Sequence, residues 1–305
     1  MGAGEWWLLL TLALLWGGSF FFIDVAVRSV PPLTLVLLRL SMAALMLHIV
    51  IRVMGMALPY TWRHWRPCFP LSLIMCALPF CLISWGQIWI SSGLASILNA
   101  TTPLFTLVIA HFMTVDEKLT GPRVVAVSLG VVGIVVMIGT DALRNIGGHV
   151  PAQFAVLGAA MSYGFAGVIG RGVQRAGGLR PLAMATMVLT CGALLVFPAA
   201  MLIDQPWRLA MPGLAAWGSI LALAVMSTAL AYILYFRLLA TAGAVNLTLV
   251  TFLVPVTSIA LGTIFLDERL SANHFFGMAL IAAGLLAIDG RPVSWLRARA
   301  GSPQH

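Results

Sequence analysis

Residues 91–119 read SSGLASILNATTPLFTLVIAHFMTVDEKL, and residues 241–270 read TAGAVNLTLVTFLVPVTSIALGTIFLDERL. Each stretch opens on small residues, runs through an apolar segment holding one proline, and stops at an acidic-basic tetrapeptide. Gly93 and Gly243 stand 150 residues apart, Pro103 and Pro255 152, and Asp116 and Asp267 151. Three landmarks agreeing this closely read as a duplication, so two homologous halves are expected.

Composition fixes the solvent. Of 305 residues, 61% are hydrophobic and 9% are charged, with a mean hydropathy of +1.03. A soluble domain carries about 25% charged residues, so this chain cannot cover a water-facing surface. Its apolar runs are long and unbroken, which predicts helices rather than the alternating strands of a barrel. The net charge of +8 comes from arginines in short loops between those runs. That pattern reads as membrane topology, and no contiguous basic stripe exists to bind nucleic acid. Cys68, Cys76, Cys81 and Cys191 lack the spacing of a metal or redox site and read as small buried hydrophobes. No cofactor and no metal are expected.

Ten apolar runs follow one another, at about 6–23, 33–53, 69–90, 91–116, 124–139, 153–170, 182–203, 213–238, 245–266 and 274–288. Each is near the ~20 residues that cross a ~30 Å hydrocarbon core, the shorter fifth and tenth with help from flanking residues. The first is too long, and lacks the basic start and cleavage site, to be a signal peptide. The expected fold is therefore an all-α integral membrane protein with ten transmembrane helices. Its expected halves are 1–139 and 152–289, joined by a linker at 140–151 and followed by a cytoplasmic tail at 290–305. With the N-terminus inside, only Arg28, Arg144, Arg208 and Arg269 lie outside, against twelve Lys and Arg inside. That bias places both termini in the cytoplasm. An odd number of helices per half inverts the second half relative to the first. Inverted repeats are the mark of alternating-access transporters, whose site lies near mid-membrane between the repeats.

The paired proline helices, each followed by an acidic motif and a glycine-rich closing helix, resemble the EamA-like members of the drug/metabolite transporter superfamily. Arg39 after Pro31-Pro32-Leu33-Thr34, and Tyr232-Ile233-Leu234-Tyr235-Phe236 before Thr241, fit the same pattern. The resemblance covers nearly the whole chain. It implies two inverted five-helix repeats and export of small metabolites, commonly amino acids. The aromatic-rich, low-charge character is most similar to amino-acid exporters of the YddG type. Trp16-Gly17-Gly18-Ser19-Phe20 pairs only loosely with Ser162-Tyr163-Gly164-Phe165.

The candidate site is drawn from polar and aromatic residues at depth. Arg39 lies seven positions past Pro32, roughly 10 Å below the interface at a rise of ~1.5 Å per residue. A charge there needs a partner or a wet cavity. It either snorkels or pairs with Asp24, or it meets a substrate carboxylate. Ser92, Ser96, Asn99, Pro103 and Thr106 share one helical face, as do Thr248, Thr251, Pro255 and Ser258. Asn99 and Thr251 each precede their proline by four, where the ring frees a carbonyl. Those groups either bond helix to helix or bind a zwitterion. Trp16, Trp85, Trp89, Tyr163, Tyr232 and Tyr235 suggest an aromatic-walled cavity, while Trp6, Trp7, Trp62 and Trp65 fit an interfacial belt.

All nine acidic residues sit at helix ends or in loops, so no buried carboxylate relay for protons is expected. His48 and His111 lie near cytoplasmic helix ends and read as structural. The expected protein is a multi-pass inner-membrane secondary transporter that exports amino acids, aromatic ones included, or similar metabolites. Its expected partners are a small-molecule substrate and the lipid bilayer, with the oligomeric state open. Competing readings are a nucleotide-sugar or drug/cation carrier, a membrane-embedded enzyme, or a channel.

Overall fold

The computed structural model describes residues 2–59, 61–114, 119–144, 149–177, 180–235, 237–238, 241 and 249–289. The first acidic motif at 116–118, the small-residue corner at 242–248 with Thr248, and the tail at 290–305 lie outside these.

Helices α1 (Ala3–Val27), α2 (Pro32–Val53), α3 (Trp62–Gly86), α4 (Ser92–Met113), α5 (Gly121–Arg144), α6 (Val150–Gly177), α7 (Pro181–Asp204), α8 (Leu214–Tyr235), α9 (Leu249–Phe265) and α10 (Ala272–Asp289) make up the chain. No strand occurs among the described residues. Seven spans, α1 to α4, Val150–Gly170 of α6, α7 and α8, are long and apolar enough to cross a membrane. Shorter apolar stretches, Arg123–Val136 and Leu253–Phe265, lie in α5 and α9. Helix occupies both ends of the 140–151 stretch, since α5 continues to Arg144 and α6 begins at Val150. Leu14, Leu45, Val53, Phe112, Leu194 and Phe276 are among the large apolar side chains exposed on the outside. Such a surface suits hydrocarbon and not water.

Prolines set both the starts and the breaks. Pro32 and Pro181 open α2 and α7, where the missing N–H would be unsatisfied anyway. Within α3 the helix widens into a π turn at Leu73–Ala77 just before Pro79. Pro79 has no N–H to bond the carbonyl five residues back, that of Ile74. The Ser162 hydroxyl of α6 fills the gap, donating to that carbonyl at 2.7 Å. In place of the single apolar run read from the sequence at 91–116, α4 breaks at Ala100–Thr101 into Ser92–Asn99 and Thr102–Met113. Pro103 then sits harmlessly in the first turn of the second piece. A second long π turn, Ala222–Leu230, interrupts α8.

The main neighbours are α1 with α9 and α8, α6 with α4 and α3, α7 with α2 and α3, α2 with α8, α4 with α9, and α5 with α10. Two glycines show how close such approaches are. A methyl on Gly17 would stand 2.6 Å from Thr257 Cβ and 2.7 Å from the Val254 carbonyl of α9. One on Gly164 would stand 3.0 Å from the Thr106 amide nitrogen of α4. Small residues at such crossings let backbones meet in lipid, where the hydrophobic effect cannot drive helices together.

Candidate functional site

Arg39 sits where α2, α3, α6 and α8 meet, and it is 6% exposed. Two contacts hold its head. Its guanidinium lies over the Phe80 ring, 3.9 Å from the centroid. Its Nε donates to the Thr228 hydroxyl at 2.9 Å. That hydroxyl is itself aimed, because it donates to the Leu223 carbonyl five residues back at 2.7 Å, a reach the π turn of α8 allows. π turns inside helices frequently mark functional positions. Cys76, from the π turn of α3, has its Sγ 3.9 Å from the Tyr232 hydroxyl. Tyr232, Cys76 and Phe80 belong to one buried cluster, and Tyr163 packs against it.

Of the two structural accounts open for Arg39, neither holds. Asp24 is engaged by Arg28, whose Nη2 reaches Asp24 Oδ1 at 2.5 Å. Arg39 does not snorkel either, being buried with its head against Phe80. No carboxylate among the described residues pairs with it.

Three of the sequence-derived site residues, Arg39, Tyr163 and Tyr232, thus come together. Trp16 stacks on Tyr235 with ring centroids 5.7 Å apart, and both pack on the same buried cluster as Tyr163. Trp85 is 42% exposed. The proline helices are neighbours, joined by the Ser258 hydroxyl donating to the Ser92 carbonyl at 3.1 Å. Pro103, Thr251 and Pro255 lie along these two helices. Much of the expected polar face turns back on its own helix. Ser96 donates to the Gly93 carbonyl, Thr106 to that of Thr102, and Thr102 to that of Asn99. Asn99 Oδ1 is buried with no hydrogen-bond partner.

Sequence reading missed Phe80 and Thr228. Phe80 follows Pro79 in an unbroken apolar run and carries no polar signal. Thr228 had one, since Ser227-Thr228 is a pair of adjacent hydroxyls within an apolar stretch. The Ser227 hydroxyl is 2% exposed and likewise has no partner.

One end of the bundle is laced together. Glu268 Oε1 and Oε2 accept the Ser92 and Gly93 amides at 2.7 and 3.0 Å, capping α4. Asp204 Oδ2 accepts from the Thr34 amide and hydroxyl at 2.7 and 3.0 Å, near the start of α2. The His149 ring pairs with the Trp89 carbonyl at 2.6 Å. The acidic motif is thus a structural device. Asp267 takes a left-handed φ of 54°, which turns the chain so that Glu268 folds back over Gly262.

The EamA-like transporter family matches this chain twice, over residues 3–139 and 150–288. Among curated relatives, "Uncharacterized transporter YoaV" of Bacillus subtilis (strain 168) is 24% identical, over 91% of this chain and 94% of its own length. "Probable amino-acid metabolite efflux pump" of Escherichia coli (strain K12) is 27% identical, over 91% and 92%. "Uncharacterized inner membrane transporter YedA" of Escherichia coli (strain K12) is 25% identical, over 93% and 92%. One crystal structure, 19% identical, superposes with a TM-score of 0.66 over 94% of this chain and 97% of that one, a likeness of fold.

Proposed function

Since the chain belongs to the EamA-like transporter family, we propose that it is a secondary transporter of the inner membrane that exports amino acids or similar small metabolites by alternating access. The transporter class and the membrane setting follow from the family and the apolar spans. The substrate class is suggested by the efflux-pump relative, and the inner membrane by the relative named for it. An enzyme is disfavoured by the same family membership.

The observation that carries the mechanism is the packing pattern. Shifting each helix number by five sends α1–α9 onto α6–α4, α3–α6 onto α8–α1, and α3–α7 onto α8–α2. The pairs α2–α7, α4–α9 and α5–α10 map onto themselves. Gly17 and Gly164 occupy matching places, each pressed on the proline helix of the other half. All of this supports ten crossings in two inverted halves, 1–139 and 152–289 about a short linker, with a site between them. In this reading Arg39, Tyr163, Tyr232 and Trp16 line the path, with Asn99, Pro103, Thr251 and Pro255 flanking it from the two proline helices. Trp85 contributes at most from the outer rim. The end laced by Glu268, Asp204 and His149 is the outer face, closed here, and both termini are cytoplasmic.

Efflux from cells tests the export claim. Bacteria expressing the chain and fed a phenylalanine dipeptide, which is hydrolysed inside, should clear free phenylalanine faster than cells with an empty vector. Equal clearance contradicts the proposal.

A further inference from the structure

We propose that the buried site reads the carboxylate of its substrate and not the amino group, with Arg39 as the anchor. The inference rests on the transport reading above and deepens it. Arg39 is a permanent cation enclosed at 6% exposure, and no carboxylate among the described residues neutralises it. Its Nε is held by Thr228 and one face by Phe80, which fix the plane of the fork. A hydroxyl and a ring satisfy only part of a five-donor group. Leaving a buried charge without a counter-ion is costly, and a planar carboxylate matches the remaining donors of a guanidinium fork two at a time.

Beside Arg39 itself an ammonium finds no such complement. Around Arg39 lie Phe80, over its face, and the Thr228 hydroxyl, with Tyr163, Tyr232 and Cys76 packed in the same buried cluster as Phe80. None is a carboxylate, and a second cation beside Arg39 would be repelled. The tyrosine and phenylalanine rings instead suit an apolar or aromatic body attached to the carboxylate. The favoured class is therefore organic acids with an apolar substituent, with amino acids accepted through their carboxylate.

The test uses purified full-length protein in two arms. In the binding arm, thermal unfolding is followed with 3-phenylpropionate, which has the carboxylate alone, and with phenylalaninamide, which has the ammonium alone. The account expects 3-phenylpropionate to stabilise the protein and phenylalaninamide to bind at least about tenfold more weakly. Arg39→Gln should abolish that preference, and Arg39→Lys should retain part of it. Should Arg39→Gln not fold, Arg39→Lys and the wild-type ligand pair still decide. In the transport arm, the same two compounds compete with labelled phenylalanine in proteoliposomes, and 3-phenylpropionate should win by the same margin. Equal effects of the two compounds, a preference for phenylalaninamide, or no stabilisation by 3-phenylpropionate overturns the inference. Absent phenylalanine movement with intact 3-phenylpropionate binding overturns the transport reading and leaves the carboxylate site standing.

Discussion

Glu268 accepts the backbone amide of Ser92 at 2.7 Å across 176 residues of sequence. With Gly93 on its other oxygen and the Ser91 hydroxyl accepting from Leu94, three amides at the start of α4 are satisfied. A carboxylate at a helix N-terminus also meets the positive end of the helix dipole. Gly262 leaves room for it, since a methyl there would clash with the Glu268 side chain and the Ser92 hydroxyl.

Removing that cap should be felt in stability. Glu268→Ala leaves two amides in a largely buried corner without partners, at a cost of about 1–3 kcal/mol. Glu268→Gln keeps an acceptor and should lose less. Thermal unfolding in detergent measures both. An unchanged melting temperature for Glu268→Ala would show that the contact contributes nothing.

The glycine crossing of α1 and α9 gives a paired prediction. Gly17→Ala places its methyl 2.6 Å from Thr257 Cβ, and overpacking of this kind costs about 1–3 kcal/mol. Gly18→Ala meets nothing nearer than 3.7 Å. Gly18→Ala should therefore be neutral, or gain up to about 1 kcal/mol from helix propensity. Equal melting temperatures for the two variants would refute the close approach.

These contacts show where the sequence was legible. Helix positions followed from hydrophobicity alone, because a helix in lipid must satisfy its own backbone. Pro103 and Pro255 fall one in each of the two stretches that the family matches, and the place of the acidic residues at helix ends was readable. What could not be read was what Gly17 and Gly164 touch, since the two segments holding them pair only loosely in sequence. The π turns of α3 and α8 were equally hidden, since hydropathy does not register one extra residue in a turn. Phe80 follows the first of those turns and Thr228 lies within the second.

For the transport path, Trp16→Ala and Asn99→Ala should each lower amino-acid movement while leaving membrane insertion intact. Trp16 would lose its stacking on Tyr235, and Asn99 its unpartnered buried carbonyl. A several-fold fall in initial rate with normal expression is the expected result. Unchanged rates in both variants would place the path elsewhere.

The described carboxylates with hydrogen-bond partners at the laced end, Asp24, Asp204 and Glu268, are engaged in structural contacts. Transport without a carboxylate proton relay is part of the proposal, with Asp24, 9% exposed within α1, held by Arg28. The most direct measurement is counterflow in proteoliposomes preloaded with unlabelled phenylalanine, followed with and without a pH gradient. The account predicts transient accumulation of external labelled phenylalanine above its equilibrium level, of similar size in both conditions. A channel or an enzyme produces no such overshoot, and its absence would contradict transport by alternating access.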